Sequence, residues 1–60
     1  MFYVSYWRNS RLEYARIPNG KTAQQFLRTI PDARFNAIHT TEDQARLEVD
    51  YEMDLAWNSY

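Results

Sequence analysis

The sequence predicts a single α+β domain: a small, mostly antiparallel sheet in the order β-β-α-β-β, with one helix packed on one face. Period-two alternation of apolar residues, which is typical of strands, recurs at both ends of the chain. Between these segments lies an apolar stripe with helical spacing, bounded by start and stop signals. The 60 residues suffice for one domain only, and a domain of this size buries about 60% of the surface that its unfolded chain exposes.

The first two strands form a predicted hairpin. Residues 2 to 7 alternate with period two and are rich in aromatic and β-branched side chains, and residues 12 to 17 follow a similar pattern. The polar residues 8 to 11 between them have the length of a hairpin connection. Pro18 ends the second strand, because proline cannot donate to a ladder and the following Asn-Gly pair favours a turn.

The helix is predicted by four apolar residues at i, i+3, i+4 and i+7: Ala23, Phe26, Leu27 and Ile30. Thr22 and Gln25 have the spacing of a capping box at its start. Pro31 ends it, since the residue before a proline is disfavoured in the helical region. We therefore expect a core helix with Phe26 packed on the sheet.

Residues 34 to 40 resume the alternation and predict a third strand. In the last stretch every odd position is apolar: Leu47, Val49, Tyr51, Met53, Leu55 and Trp57. The even positions hold an acidic row: Glu48, Asp50, Glu52 and Asp54. This period predicts a fourth strand. The alternative is a helix from Thr41, capped with Gln44, but the apolar residues would then scatter around its circumference.

Charge is distributed unevenly along the chain. Residues 1 to 40 hold six basic and two acidic residues, a net charge of +4, whereas residues 41 to 60 hold one and six, a net charge of -5. On a strand, the acidic row would repeat every ~6.8 Å on one face. Either arginines of neighbouring strands (Arg11, Arg16 or Arg34) pair with it inside the fold, or it faces outward toward a basic protein surface.

The residues that most enzymes and metal sites need are scarce. The chain has no cysteine, which excludes disulfides and thiolate zinc sites, and His39 is its single histidine. With Gly20 as the single glycine, a glycine-rich phosphate loop is impossible. The serines lack the context of a catalytic nucleophile. We therefore expect no enzyme activity, no metal and no cofactor.

Aromatic and arginine residues, which are enriched at interaction hot spots, are interleaved in the hairpin. Tyr3, Trp7 and Tyr51 join the acidic row in our predicted partner-binding set. The alternative is a small nucleic-acid-binding module that uses four hairpin residues: Arg8, Arg11, Arg16 and Tyr14. The net charge of -1 disfavours direct nucleic-acid binding. Because one helix covers one face of a sheet, a partner or a second copy is expected on the other.

The chain also lacks the apolar stretch of a membrane span or signal peptide, which predicts a protein that stays in the cytosol. Because it opens on Met1, carries no visible tag and ends on Tyr60, we expect a complete small protein. A cysteine-free chain with the row Glu48, Asp50, Glu52 and Asp54 after an arginine-bearing aromatic hairpin resembles, in size and charge, the small inhibitors that bacteriophages make against host machinery, anti-CRISPR proteins above all. This resemblance implies a stoichiometric, non-catalytic inhibitor in the host cytosol, which imitates nucleic acid in a basic groove of a host protein complex.

Overall fold

The computed structural model describes residues 1 to 58, and the side chains of residues 1 to 55. It contains strands β1 (Tyr3–Arg8), β2 (Arg11–Arg16) and β3 (Arg34–His39), and helices α1 (Ala23–Leu27) and α2 (Glu42–Asn58). The α+β class is therefore confirmed. Within this range, neither helix combines the length and the apolar composition that crossing a membrane requires.

The three strands form an antiparallel sheet in the order β2-β1-β3, as predicted for the hairpin. Asn9 and Ser10 have positive φ angles of 54° and 66°, which is the conformation of a tight two-residue turn between twisted strands. A bulge interrupts the pairing of β1 with β3. Ser5 faces Ala37 and Tyr6 faces Phe35, so the register shifts by one residue between them.

Helix α1 begins as the sequence predicts. The Gln25 amide donates to the Thr22 hydroxyl (3.1 Å) and the Thr22 amide donates to the Gln25 side-chain oxygen (3.0 Å), which completes the capping box. The helix ends at Leu27, earlier than the apolar stripe suggested. The Ile30 amide instead bonds the Leu27 carbonyl three residues back, and Ile30 packs against the core from this tighter turn.

The two faces of the sheet are covered by different helices. Val4 and Tyr6 point to one face and pack in an apolar cluster with Leu27 of α1. Ser5 points to the other face and is also fully buried, which requires a cover on that side as well. Helix α2 contacts all three strands and supplies this cover. The second face is thus closed from within the chain, where the sequence suggested a partner or a second copy.

The predicted fourth strand is wrong: residues 42 to 58 form helix α2. Its start matches the alternative, because the Gln44 amide donates to the Thr41 hydroxyl (3.2 Å). Aspartate and glutamate are poor strand formers, while leucine, glutamate, methionine and arginine favour helices. The apolar side chains also do not scatter. Odd positions wound at ~100° per residue separate into two stripes on opposite sides of the helix.

Candidate partner-binding face of helix α2

The inner side of α2 holds the helix on the sheet. Ala45 is fully buried, and Val49 and Met53 follow at intervals of four residues, half-buried. The Met53 sulfur accepts a hydrogen bond from the Leu12 amide of β2 (3.4 Å). The side chain of Trp57, the last odd position of the predicted row, lies outside the described side chains. These contacts fix which side of α2 faces the solvent.

The solvent side of α2 carries a second apolar stripe, formed by Leu47, Tyr51 and Leu55 and called here the outer stripe. Their exposed fractions are 63%, 62% and 48%. Residues four apart lie on the same side of a helix, so the three side chains form one continuous row. Single exposed apolar residues are ordinary, but a contiguous row on one element is typical of an interaction surface.

The four acids of the row do not lie in a single line, because this segment is helical. Asp50 and Asp54 are exposed and flank the outer stripe on one side, while Glu48 and Glu52 are half-buried and flank it on the other. The stripe therefore has carboxylates along both edges. Within each pair, like charges four residues apart destabilise the helix by roughly 0.2 to 0.5 kcal/mol.

Internal pairing of these acids with arginines, one of the two interpretations of the row, is wrong for the described residues. The ion pairs among them are Arg8 with Glu13 (3.4 Å), and Arg46 with Asp43 (3.2 Å) within α2. None involves the four acids of the row. Their charge is therefore not offset by a close basic partner within the fold.

Tyr3 and Trp7, the predicted aromatic partners of the acidic row, lie elsewhere. Both are half-buried on the sheet face that α2 covers, so the body of the helix separates them from the outer stripe. The Tyr3 hydroxyl points to the Met1 sulfur (3.7 Å). Trp7 lines a small cleft of about 240 Å³ at the hairpin end, beside Arg34 and Asp32. Tyr51 alone of the predicted aromatics lies with the acids.

The alternative nucleic-acid set is split between the two faces of the sheet. Arg8 and Arg11 face each other across the hairpin on the α1 side, and Arg8 pairs with Glu13. Tyr14 faces Ser5, and Arg16 faces Tyr3, on the α2 side. A single nucleic-acid strand lying on either face would reach only half of the set.

A buried polar cluster under α2 was not predicted from the sequence. The Ser5 hydroxyl accepts a hydrogen bond from the Asn36 side-chain amide (2.9 Å), donates to the Ala37 carbonyl (3.4 Å) and lies 3.0 Å from Nε2 of His39. Although this contains a serine and a histidine in contact, Ser5 is 0% exposed. The cluster satisfies the polar groups around this buried hydroxyl.

Within the described part of the chain, the pKa of the Tyr6 side chain is shifted. Burial of its ring in the α1 cluster, followed by the negative charge of Glu13, raises the pKa of the Tyr6 phenol above its usual range, while Arg8 lowers it. The neutral phenol therefore persists at pH values where a free tyrosine ionises. Among the described residues, no group of three or more potential metal ligands comes together.

Leu47 and Leu55, which complete the outer stripe with Tyr51, were not in the predicted partner-binding set. In the sequence, the three residues are four positions apart, which is helical spacing. This spacing was overlooked because the same residues also belong to the strict alternation of the odd positions. Comparison with known proteins returns no matching family model, no similar curated protein and no similar solved structure.

Proposed function

We propose that this chain is a non-catalytic inhibitor that binds a protein through the outer stripe of α2. The stripe docks in an apolar-lined groove, and the carboxylates along its edges meet basic side chains on the groove walls. One observation carries the proposal: Leu47, Tyr51 and Leu55 are about half exposed or more in one row, with unpaired acids on both sides. The proposed binding element is therefore an acidic helix with an apolar centre, in place of the acidic strand that the sequence predicted.

The exposed apolar area of the outer stripe limits the binding free energy that the stripe can contribute. Full burial of a large apolar side chain contributes about 1.5 to 3 kcal/mol, so the exposed parts of Leu47, Tyr51 and Leu55 contribute ~3 to 5 kcal/mol together. Association itself costs about 4 to 15 kcal/mol. The apolar contact alone is therefore too weak, and the flanking charges must contribute to affinity as well as to orientation.

The apolar centre also favours a protein groove over close imitation of nucleic acid. Asp50 and Asp54 are ~6 Å apart along the helix axis, since an α-helix rises ~1.5 Å per residue. A DNA strand carries one phosphate per ~3.4 Å. A helix with sparse charges and an apolar ridge fits a groove whose base is apolar and whose rim is basic. The resemblance to phage inhibitors extends this proposal to a nucleic-acid-binding protein of the host, in the host cytosol.

A matched pair of variants tests the proposal. Tyr51→Gln and Phe2→Gln each remove one aromatic ring that is more than half exposed, but Phe2 is not part of the outer stripe and lies beside Ile17 and Pro18. Each immobilised chain is incubated with nuclease-treated host lysate, and retained proteins are quantified by mass spectrometry. We expect a protein that the unaltered chain and Phe2→Gln retain and that Tyr51→Gln loses at least ~10-fold, about 1.4 kcal/mol.

The captured protein is then purified and titrated at about 0.1 M and about 1 M salt, because charge pairs at the rim weaken as screening increases. A retained set that is identical for Tyr51→Gln and Phe2→Gln contradicts the role of the outer stripe. Sub-micromolar binding of single-stranded or duplex DNA that falls steeply with salt would instead support the nucleic-acid module.

A further inference from the structure

The cleft at the hairpin end, called here the hairpin-end cleft, brings charged, aromatic and polar side chains together. It has a volume of about 240 Å³ and lies where the turn between β1 and β2 meets the segment that leads into β3. Six residues line it: Trp7, Arg8, Asn9, Ser10, Asp32 and Arg34. None of these six belongs to α2, so the cleft is separate from the outer stripe.

Three of the lining residues have a backbone conformation that L side chains disfavour. Asn9, Ser10 and Asp32 are the non-glycine residues of the described chain with positive φ, at 54°, 66° and 61°. Ser10 is the second residue of the tight hairpin turn, and Asp32 follows a proline in a second turn, both of them positions where glycine is the usual residue. Strained backbone concentrates at functional sites, and all three strained positions place polar residues at this cleft.

The charged side chains of the cleft are not paired with one another. Arg34 and Asp32 form no ion pair among the described residues, although both line the same cleft. Arg8 pairs with Glu13 through its Nε (3.4 Å). Since a guanidinium has five N–H donors, its terminal nitrogens remain able to bind another group. The cleft therefore offers two cationic donors and one anionic acceptor to a ligand.

Trp7 gives the cleft an aromatic wall. It directly faces Arg34 in the sheet, and facing side chains of antiparallel strands have Cβ atoms ~4.5 to 5.5 Å apart. Trp7 is half-buried and lines the cleft, so part of this side chain is open to a ligand. Nucleobases stack on aromatic side chains, and guanidinium groups bind phosphate through paired N–H donors.

We propose that the hairpin-end cleft binds a guanine mononucleotide. The base stacks on Trp7, the phosphate binds the guanidinium groups of Arg34 and Arg8, and the Asp32 carboxylate accepts from N1–H and the N2 amino group of the base. Guanine is the nucleobase whose pairing edge presents two adjacent N–H donors, which match the two oxygens of a carboxylate. A nucleotide thus carries an anion and a pair of donors at separate ends, as a cleft with unpaired charges of both signs requires.

The ligand is a free nucleotide and not a strand of nucleic acid. At about 240 Å³, the cleft is smaller than the ~300 to 1,000 Å³ of typical ligand pockets. The net charge of -1 also disfavours a longer polyanion. Because so small a cleft buries only part of the nucleotide, we expect a Kd in roughly the micromolar to millimolar range.

Calorimetric titration of the whole chain with GMP, AMP, guanosine and inorganic phosphate tests each group of the ligand. GMP should bind at least ~10-fold more tightly than the other three, which lack the two adjacent donors, the phosphate or the base. In NMR spectra, GMP should shift the backbone amide signals of Asn9 and Ser10 and leave those of Leu47 and Leu55 unchanged. The second result separates this cleft from the outer stripe.

Arg34→Gln and Arg16→Gln form a matched pair of variants. Each removes an exposed guanidinium that faces an aromatic residue of β1, Trp7 or Tyr3, but Arg16 does not line the cleft. Arg34→Gln should weaken GMP binding at least ~10-fold and Arg16→Gln less than ~2-fold. Asp32→Asn should remove the preference for GMP over AMP, and asparagine tolerates the positive φ at this position. Circular dichroism confirms that each variant is folded.

Five outcomes overturn the proposal. No binding of GMP up to about 10 mM means that the cleft holds no nucleotide. Phosphate that binds as tightly as GMP indicates a simple anion site, and AMP that does so indicates that Asp32 does not recognise the base. Equal losses in Arg34→Gln and Arg16→Gln indicate attraction by the overall charge. A short guanine-containing single strand that binds at least ~10-fold more tightly than GMP assigns the cleft to nucleic acid.

Discussion

The two faces of the sheet are closed in different ways. On the α1 side, Val4, Tyr6 and Leu27 form an apolar cluster under a short helix with a complete capping box. On the α2 side, the centre is polar: Ser5 is fully buried, with Asn36 and His39 around its hydroxyl. The first face gains stability from apolar burial, whereas the second depends on hydrogen bonds being satisfied.

This difference explains where the free apolar surface lies. A sheet that is apolar on both faces and has one helix would need a partner over its bare face. Here α2 covers that face with its inner stripe and leaves a second stripe, Leu47, Tyr51 and Leu55, in solvent. On the α2 side, the apolar surface available to a partner is therefore the outside of the helix and not the sheet.

The largest effect is expected on the α1 face. Leu27→Ala removes a buried side chain of the apolar cluster and should cost about 2 to 5 kcal/mol, comparable to the whole stability expected of a domain this small. Leu55→Ala is the matched control on the outer stripe and should change stability by less than ~0.5 kcal/mol. Thermal melts of both decide this, and equal destabilisation would contradict the assignment of inner and outer surfaces.

A smaller effect is expected on the α2 face. Ser5→Ala deprives the Asn36 amide and the His39 ring of their buried partner, which should cost about 1 to 3 kcal/mol. Ser10→Ala, in the exposed hairpin turn, serves as control and should be nearly neutral. Denaturant titration compares them. Unchanged stability in Ser5→Ala would mean that the polar cluster is dispensable and that apolar packing closes both faces.

The parts of the fold predicted correctly are those with local signals. The hairpin, the third strand and the start of α1 each depend on residues within a few positions of one another, such as the Thr22 and Gln25 capping box. The polar cluster under α2 could not be predicted in this way. It joins Ser5 to Asn36 and His39, more than thirty residues away, and Asn36 lies where a bulge shifts the register.

The strand predicted for the last stretch was wrong for a different reason, because the local signals of this segment conflict. Strict alternation indicates a strand, while the helix-forming composition and Thr41 at the start indicate a helix. A helix with two opposite apolar stripes is compatible with both the alternation and the helix-forming composition, provided that one stripe is left exposed. For the candidate site, this means that Tyr51 lies beside the acids on α2, whereas Tyr3 and Trp7 lie apart from them on the sheet, and Leu47 and Leu55, which complete the outer stripe, were not in the predicted set.

The smallest effect on stability, and the one that separates folding from binding, is expected for Asp50→Asn combined with Glu52→Gln. One acid is removed from each edge of the outer stripe, which relieves repulsion within the pairs that they form with Asp54 and Glu48. Because neither has an ion-pair partner among the described residues, the melting temperature should stay the same or rise slightly. Affinity for the captured partner should fall by about 1 to 2 kcal/mol, mostly through slower association.

The control removes the same two charges from the other end of the helix, in Glu42→Gln with Asp43→Asn. These acids lie in the first turn of α2 and Asp43 pairs with Arg46, so their negative charge stabilises the helix N-terminus by about 0.3 to 1 kcal/mol each. Melting temperature should therefore fall in the control and not in the test variant, at equal net charge. If affinity falls equally in both, the partner responds to total charge alone. If only the test variant loses affinity, the acids beside the outer stripe are the ones that the partner contacts.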